Sequence, residues 1–242
     1  MKKREIMKVA KEFSRFAKAY NRHNIIQAEV AKKLVAMLPG KYYERIFDLG
    51  CGRGEVYRNL NGQGVAFGHL TAMDISSEML ALHPDTPKIA RIRGDFNQPE
   101  TFDALPFSHY DLLLSASALQ WSSDLDVTLQ ALCPLSKRSC FAIFTAGTFR
   151  TLHTHAGITS PIFDEDFLKE KLRGYFDAEF ETVRYKLHFD TVYEMLRYIK
   201  ESGTSGGERH LGYRQTKQLL DEYPLDYLEF EVLFVEAIPY VY

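Results

Sequence analysis

The sequence predicts an α/β protein: a sheet of about seven mostly parallel strands with helices on both faces. Three observations predict it. Short apolar runs rich in strand formers recur at Arg45–Leu49, Leu70–Asp74, Ile89–Arg93, Tyr110–Ala116 and Cys140–Ala146. The segments between them are long enough for crossover helices, and strands that alternate with helices form parallel sheets covered on both sides. With 242 residues, 45% of them apolar, the chain can bury one substantial core.

Ahead of the first strand, Val9 to Leu38 places apolar residues at helical intervals: Phe13, Phe16, Ala17 and Tyr20, then Ile26, Val30, Leu34 and Met37. The pattern stops at Pro39-Gly40, which predicts one or two helices with a break near Asn21–Asn24. After the fifth strand the pattern changes. Residues 150–178 read as loop and helix, Phe180–Phe189 alternates like a strand, Thr191–Glu201 is helical, and Ser202–Gly207 is a glycine-serine loop. Leu228–Ile238 reads as a long antiparallel strand at the sheet's end. There is no internal repeat and no low-complexity tract.

The formal charge of −2 argues against a general nucleic-acid binder, which needs many phosphate-neutralising Lys and Arg. Its distribution says more. Residues 1–22 carry Lys2, Lys3, Arg4, Lys8, Lys11, Arg15, Lys18 and Arg22 against Glu5 and Glu12, a net of +6 that leaves −8 for the remainder. Cys51, Cys133 and Cys140 are too few and too unpatterned for a disulfide framework or a zinc site, and read as reduced, buried thiols. No apolar run reaches the roughly 18 residues of a membrane span, and the basic start lacks the apolar stretch of a secretory signal. These features lead to the expectation of a cytoplasmic protein that binds neither membrane nor metal.

Residues 47–54, Phe-Asp-Leu-Gly-Cys-Gly-Arg-Gly, carry the strongest functional signal. A strand running into three alternating glycines builds a turn of bare backbone, because Gly50, Gly52 and Gly54 take positive φ without a Cβ clash, and the next helix offers its N-terminal donors. A dinucleotide turn reads G-x-G-x-x-G, and Glu55 stands where its third glycine belongs, so a dehydrogenase is disfavoured. Asp48 is placed to receive an ammonium and would repel a pyrophosphate. The ligand that fits carries an amino acid and a nucleoside without phosphates, which describes S-adenosylmethionine.

Ligands of open α/β sheets sit beyond the carboxyl ends of the strands, and polar residues occur there. Asp74, ending the second strand, is the candidate for the ribose hydroxyls, with Met79 packing on the adenine. Asp95 is the candidate for the adenine amino group, Phe96 for a backbone donor and apolar face, and Ser115 with Ala116 for the methionine portion. Singly, an Asp at a strand end is an ordinary turn or N-cap residue and a lone Met is core. Together with the glycine turn they form a constellation.

Asp48-x-Gly50-x-Gly52-x-Gly54, Asp74, Gly94-Asp95 and Asp111 resemble the class I S-adenosylmethionine-dependent methyltransferases across residues 40–150. The resemblance implies their Rossmann-like sheet. A narrower likeness rests on Phe13-Ser14-Arg15-Phe16-Ala17-x-x-Tyr20, Gln27, Ser117-Ala118-Leu119-Gln120-Trp121 and Met195-Leu196-Arg197-x-x-Lys200-x-x-Gly203. These resemble the BioC group, malonyl-acyl-carrier-protein O-methyltransferases, which esterify a malonyl thioester early in biotin synthesis. That likeness implies that Tyr20 and Gln27 lie at the cofactor site and that the partner is a malonyl-loaded acyl carrier protein, or malonyl-coenzyme A. The chain then divides, within one domain over 1–242, into a basic helical segment at 1–38 and a cofactor-binding core at 40–149. A substrate cap and linking strand follow at 150–215, and the C-terminal part of the sheet at 216–242.

Methyl transfer from a sulfonium to a carboxylate needs no general base, since the acceptor is ionised at neutral pH. The substrate must instead be held. Arg197, Lys200 and Arg209 are the candidates for gripping its carboxylate, in that order, with Arg150 as an outside choice; the alternative is a solvated helix face. Tyr20 is the candidate catalytic residue, closing the site over the reacting atoms, against core packing. His153 and His155 read as rim residues, and Trp121 as packing beneath the site. The basic arm either steers an acidic carrier protein or keeps a helix soluble. Other readings are a methyltransferase on a small molecule such as a quinone precursor or free carboxylic acid, and a non-catalytic partner protein that keeps the fold.

Overall fold

Strand β1 (Tyr42–Leu49) becomes the sheet's centre because its last four residues, Ile46 to Leu49, are all fully buried. It is paired on both edges, with Asp48 opposite Ala72 of β2 (Ala66–Asp74) and Leu114 of β4 (Leu112–Ala116). The structure, a computed structural model, describes residues 24–202 and 212–240. With β3 (Ile89–Arg93), β5 (Ser139–Phe144), β6 (Phe176–His188) and β7 (Tyr227–Pro239), the strands lie in the order β3-β2-β1-β4-β5-β7-β6. Strands β1 to β5 run parallel, and β7 is antiparallel to both β5 and β6. The chain winds outward from β1 to β3, then crosses to β4. That reversal opens a crevice beyond the carboxyl ends of β1 and β4.

Alternation along the strands builds two cores, one on each face. Leu112 and Leu114, Cys140 and Ala142, and Phe230, Val232 and Phe234 face one core. Helices α1 (Ile25–Ala36), α2 (Glu55–Gly62), α3 (Ser77–Leu82) and α5 (Arg150–Ala156) cover it, with α7 (Val192–Ser202) and α8 (Tyr213–Glu222). Leu113, Phe141, Ile143, Leu233 and Val235 face the other, covered by α4 (Leu125–Leu132) and α6 (Glu165–Arg173). Among the described residues no helix is long and apolar enough to cross a membrane.

The seven mostly parallel strands with helices on both faces are those the sequence predicts, and the differences are local. β1 and β2 begin earlier than the apolar runs, at Tyr42 and Ala66. Tyr110 makes an isolated bridge to Ser136, so β4 starts at Leu112, and β5 ends at Phe144 rather than Ala146. β6 starts at Phe176, four residues before the predicted strand, and stops at His188. β7 is antiparallel as predicted but is not at the sheet's end. Its residues 230–235 are buried throughout, which requires cover on both faces, whereas β6 alternates buried-side residues with exposed Asp177, Glu179 and Glu181, the composition of an edge. In the expected 202–207 loop, Ser202 ends α7 and residues 203–207 lie outside the described residues, as does residue 23 and everything before it. All three cysteines are buried free thiols.

Candidate functional site

The crevice is floored by the turn after β1. Gly50, Gly52 and Gly54 have φ of 72°, 53° and 86°, the left-handed region that disfavours side chains. The turn is pinned from below. The amides of Gly50 and Cys51 donate to the Met73 carbonyl at 2.8 and 2.9 Å, and the Gly52 amide donates to Asp74 Oδ2 at 2.9 Å. A Cβ on Gly50 would collide with that of Ala118, and one on Gly54 would lie 2.9 Å from the His83 ring. A Cβ on Gly52 would meet nothing within 4 Å. Bare backbone at Gly52 therefore faces open space.

That space is a cleft lined from five directions. Gln27 and Ala31 come from α1, the glycine turn with Arg53, Glu55 and Val56 from the start of α2, and Met73, Asp74, Ile75 and Met79 from the end of β2 and α3. Residues 94–97 follow β3, and Ala116, Ser117, Ala118 and Trp121 follow β4. Gln27 is 8% exposed, and its side-chain oxygen has no hydrogen-bond partner. Asn24 Nδ2 donates to Glu55 Oε1 at 3.3 Å, tying α1 to the first residue of α2.

Asp74 accepts from the Ser76 amide at 2.8 Å as well as from Gly52, and burial raises its pKa against the pull of these backbone donors. The Ser76 and Gly52 amides take one lone pair on each of its oxygens, which leaves the carboxylate further acceptor capacity. Asp95 accepts from the Asn97 amide and side chain at 3.0 and 3.1 Å, and Asn97 Oδ1 accepts from the Ser123 amide at 2.7 Å, which closes that rim. Met79, in the first turn of α3, is buried and lines the cleft.

The structure thus brings Gln27, Gly50, Gly52, Asp74, Met79, Asp95 and Phe96 to one cleft, with Gly54 closing the turn behind it. Besides Gly54, two expected residues are not on its walls. Ser115 is fully buried and donates to the Leu49 carbonyl at 2.9 Å, so its hydroxyl stitches β4 to β1 instead of lining the cleft. Asp48 has no exposed surface, and both its oxygens lack a hydrogen-bond partner. Burial, and then the charge of Asp74, push its pKa up to about 8.

The substrate candidates fall outside the cleft or outside the described residues. α7 turns Met195, Tyr198 and Ile199 into the core, which leaves Arg197 on the exposed side and off the cleft wall. Tyr20, Arg209 and the Lys200 side chain lie outside the described residues. Arg150 begins α5, exposed and away from the cleft; His153 and His155 sit on the same helix, the latter against Tyr223. Among the described residues no group of three His, Cys, Asp or Glu could hold a metal.

Sequence reasoning gave no site role to Arg53, Asn97 or Ser117. Ser117 holds φ of 62°, rare for a residue with a side chain. Its amide donates to the Ala142 carbonyl and its carbonyl accepts from Gln120 Nε2, both at 2.8 Å, and its hydroxyl has no hydrogen-bond partner. Backbone strain held this firmly in a cleft is a mark of function. The Ser117–Trp121 stretch was the available signal.

A sheet in this order, with an antiparallel last pair and a cleft at the switch point, is the Rossmann-like fold of class I methyltransferases. Residues 46–138 match the Methyltransferase domain family. The curated relatives include the malonyl-[acyl-carrier protein] O-methyltransferase of Erwinia billingiae, 31% identical over 160 residues that span 64% of this chain and 59% of that protein. The protein of that name from Neorickettsia risticii is 33% identical over 141 residues, 56% of this chain and 54% of the relative. The chain thus spans a little over half the length of the curated relatives it matches. Among solved structures, YcgJ of Bacillus subtilis superposes with a TM-score of 0.61 at 10% identity, over 88% of this chain and 99% of that one. DhpI in its complex with SAH gives 0.60 at 15% identity, over 99% and 98%.

Proposed function

We propose that the chain is an S-adenosylmethionine-dependent O-methyltransferase that esterifies the free carboxylate of a malonyl thioester on an acyl carrier protein, an early step of biotin synthesis. The observation that carries the donor half is the open face of Gly52 beside Asp74, a bare turn with an acidic neighbour and no second phosphate-type glycine spacing. The residues present fit the group. Asp74 would take a ribose hydroxyl with its remaining lone pair, Asp95 would accept from the adenine amino group, and Met79 and Phe96 would flank the base. Gln27 would meet a polar edge of the ligand with its unpartnered oxygen. The donor, when bound, supplies an electrophilic methyl on a sulfonium.

The chain's own part is alignment. A carboxylate acceptor, with an ordinary pKa near 4, arrives ionised, so no proton has to move before attack. Holding the two reactants in line and excluding water can contribute on the order of 7 to 11 kcal/mol. Tyr20 is assigned to closing the site, and Arg197, Lys200 and Arg209 to the acceptor's approach. The acceptor half is supported by the activity for which the curated relatives are named and by the motifs at both ends of the chain.

The test is a transfer assay with labelled donor offered malonyl-acyl carrier protein, malonyl-coenzyme A and free malonate. Label in a base-labile ester of the carrier-bound thioester is the expected result. Transfer to free malonate or another small acid alone overturns the acceptor. A chain that shows no calorimetric binding of the donor has a different ligand altogether.

A further inference from the structure

One buried acid has no part in the cleft. Glu231 of β7 is 7% exposed, among Phe230, Val232, Leu233, Phe234 and Val235, all apolar and fully buried. A buried carboxylate costs stability unless its oxygens are satisfied, and an apolar residue would pack here without that cost. Both oxygens are engaged: Oε1 accepts from the Thr145 hydroxyl at 2.7 Å and Oε2 from Arg184 Nε at 2.8 Å. The Arg184 side chain is 68% exposed, so the ion pair adds little to stability. What Glu231 holds is the loop after β5. Its carbonyl accepts from the Thr145 amide at 2.9 Å and the Thr148 hydroxyl at 3.1 Å, and its amide donates to that hydroxyl at 3.1 Å. Gly147 lies outside the left-handed region, so space, not φ, demands glycine: a Cβ there would stand 2.2 Å from Glu231 Oε1. Bare backbone thus rests on the carboxylate. Two residues on, Phe149 holds a strained φ of 57°.

We propose that Glu231 is a positioning residue for the acceptor, acting through the loop 145–148 that it fixes. The inference rests on the acceptor reading above. The residues assigned to the nucleoside, Asp74, Met79, Asp95 and Phe96, end β2 or follow β2 and β3. That leaves the acceptor the side of the crevice over β4 and β5. Ser117, which lines the cleft after β4, donates its amide to the Ala142 carbonyl of β5, and Thr145 stands three residues beyond Ala142 on the same run of chain. In the loop Ala146 and Gly147 are half-buried, whereas Thr145, Thr148 and Phe149 are buried. The amides there are committed: Ala146 to the Phe163 carbonyl, Gly147 to Thr145 Oγ1, Thr148 to the Thr145 carbonyl and Phe149 to the Glu229 carbonyl. The loop therefore acts by shape. Two small residues, held still, form a low wall along which an unbranched thioester arm can lie in line with the donor.

The test combines initial-rate kinetics on malonyl-acyl carrier protein with calorimetric titration of S-adenosylhomocysteine. It is run on the full chain, on Glu231→Gln, Glu231→Ala and Gly147→Ala, and on the Gly147→Ala/Glu231→Ala double variant. Gly147→Ala is expected to raise KM for the carrier at least tenfold and Glu231→Gln at least threefold, with kcat and S-adenosylhomocysteine affinity within twofold of the parent. Gly147→Ala should add less than twofold to the KM of Glu231→Ala, because the carboxylate that the new methyl strikes is gone. Parent-like KM in both single variants overturns the proposal, whether or not their melting temperatures fall. So does donor affinity that drops in step with the rise in KM, or a Gly147→Ala effect undiminished in the Glu231→Ala background. Should the variants fail to fold, hydrogen exchange of the parent decides: the amides of residues 145–149 are expected to slow further when malonyl-acyl carrier protein joins S-adenosylhomocysteine, and no change refutes it. A parent that methylates the carrier while the variants prove indifferent leaves the acceptor reading standing, and a parent that leaves the carrier unmethylated overturns both.

Discussion

Gly50 and Gly52 share a left-handed backbone and differ in what a side chain would meet, which separates stability from binding. Alanine at either position pays a conformational penalty of about 1–2 kcal/mol. At Gly50 the new Cβ also collides with Ala118, so Gly50→Ala is expected to cost about 3 kcal/mol or more in urea denaturation. Gly52→Ala meets nothing, so its stability loss should stay near the conformational term while S-adenosylhomocysteine affinity falls at least tenfold. Parent-like affinity in Gly52→Ala would show that no ligand approaches that backbone. Asp48 makes a second residue-level case. Its pKa is about 8 in the folded chain against an ordinary 3.8, so between those values the folded state holds a proton that the unfolded state has released. Stability contributed by the protonated form is complete at the low end of that window and is lost as pH rises through 8. Asp48→Asn removes the titration. Relative to the parent it should gain stability between pH 5 and pH 8 by on the order of a few kcal/mol, read from melts at both pH values. Parallel decline of the two proteins would rule out Asp48 as the source.

At the scale of elements, β7 holds the appended helices to the sheet. Phe230 is fully buried, with ring centroids 5.0 Å from Phe149, 6.2 Å from Phe144 and 6.4 Å from Tyr198. It therefore joins β5, the start of α5 and α7 at one point. Phe230→Ala is expected to cost about 3–5 kcal/mol, and Phe230→Leu well under half of that, because leucine refills most of the volume. Chemical denaturation gives both values, and a cost below 1 kcal/mol for the alanine variant would show that these elements are held elsewhere. The same packing explains which elements the sequence disclosed. Strands buried on both faces, such as β4 with Leu112–Leu113–Leu114, stand out as apolar runs. The exposed starts of β1 and β2 do not, since hydrogen bonding to a neighbour extends those strands and hydrophobicity says nothing of it. α8 passed unread because its stretch from Arg214 to Glu222 is mostly polar, with Leu219 as its one fully buried side chain among those described.

For the molecule as a whole, position along a strand was readable and the direction of a side chain was not. Asp74 is the last residue of β2, and Asp95 and Phe96 stand beyond the end of β3, where the chain opens on the crevice, and all three line it. Asp48 and Ser115 lie inside strands, where the pleat decides, and it turned both inward. Charge is the whole-molecule feature that needs no such geometry: residues 1–22, outside the described residues, carry +6 and the remainder −8. Complementary potential raises encounter rates with an acidic partner and is screened beyond about 10 Å at 0.1 M salt. If the arm steers a carrier protein, replacing Lys2, Lys3, Lys8 and Lys11 by Gln should lower kcat/KM for malonyl-acyl carrier protein about tenfold at low ionic strength. Malonyl-coenzyme A should serve both proteins alike when the lysines matter through the carrier's surface, and the parent's advantage on the carrier should shrink as salt is added. Equal kcat/KM on the carrier at every salt concentration would leave the lysines a solubilising role alone, because a steering field cannot act on the rate without also being screened.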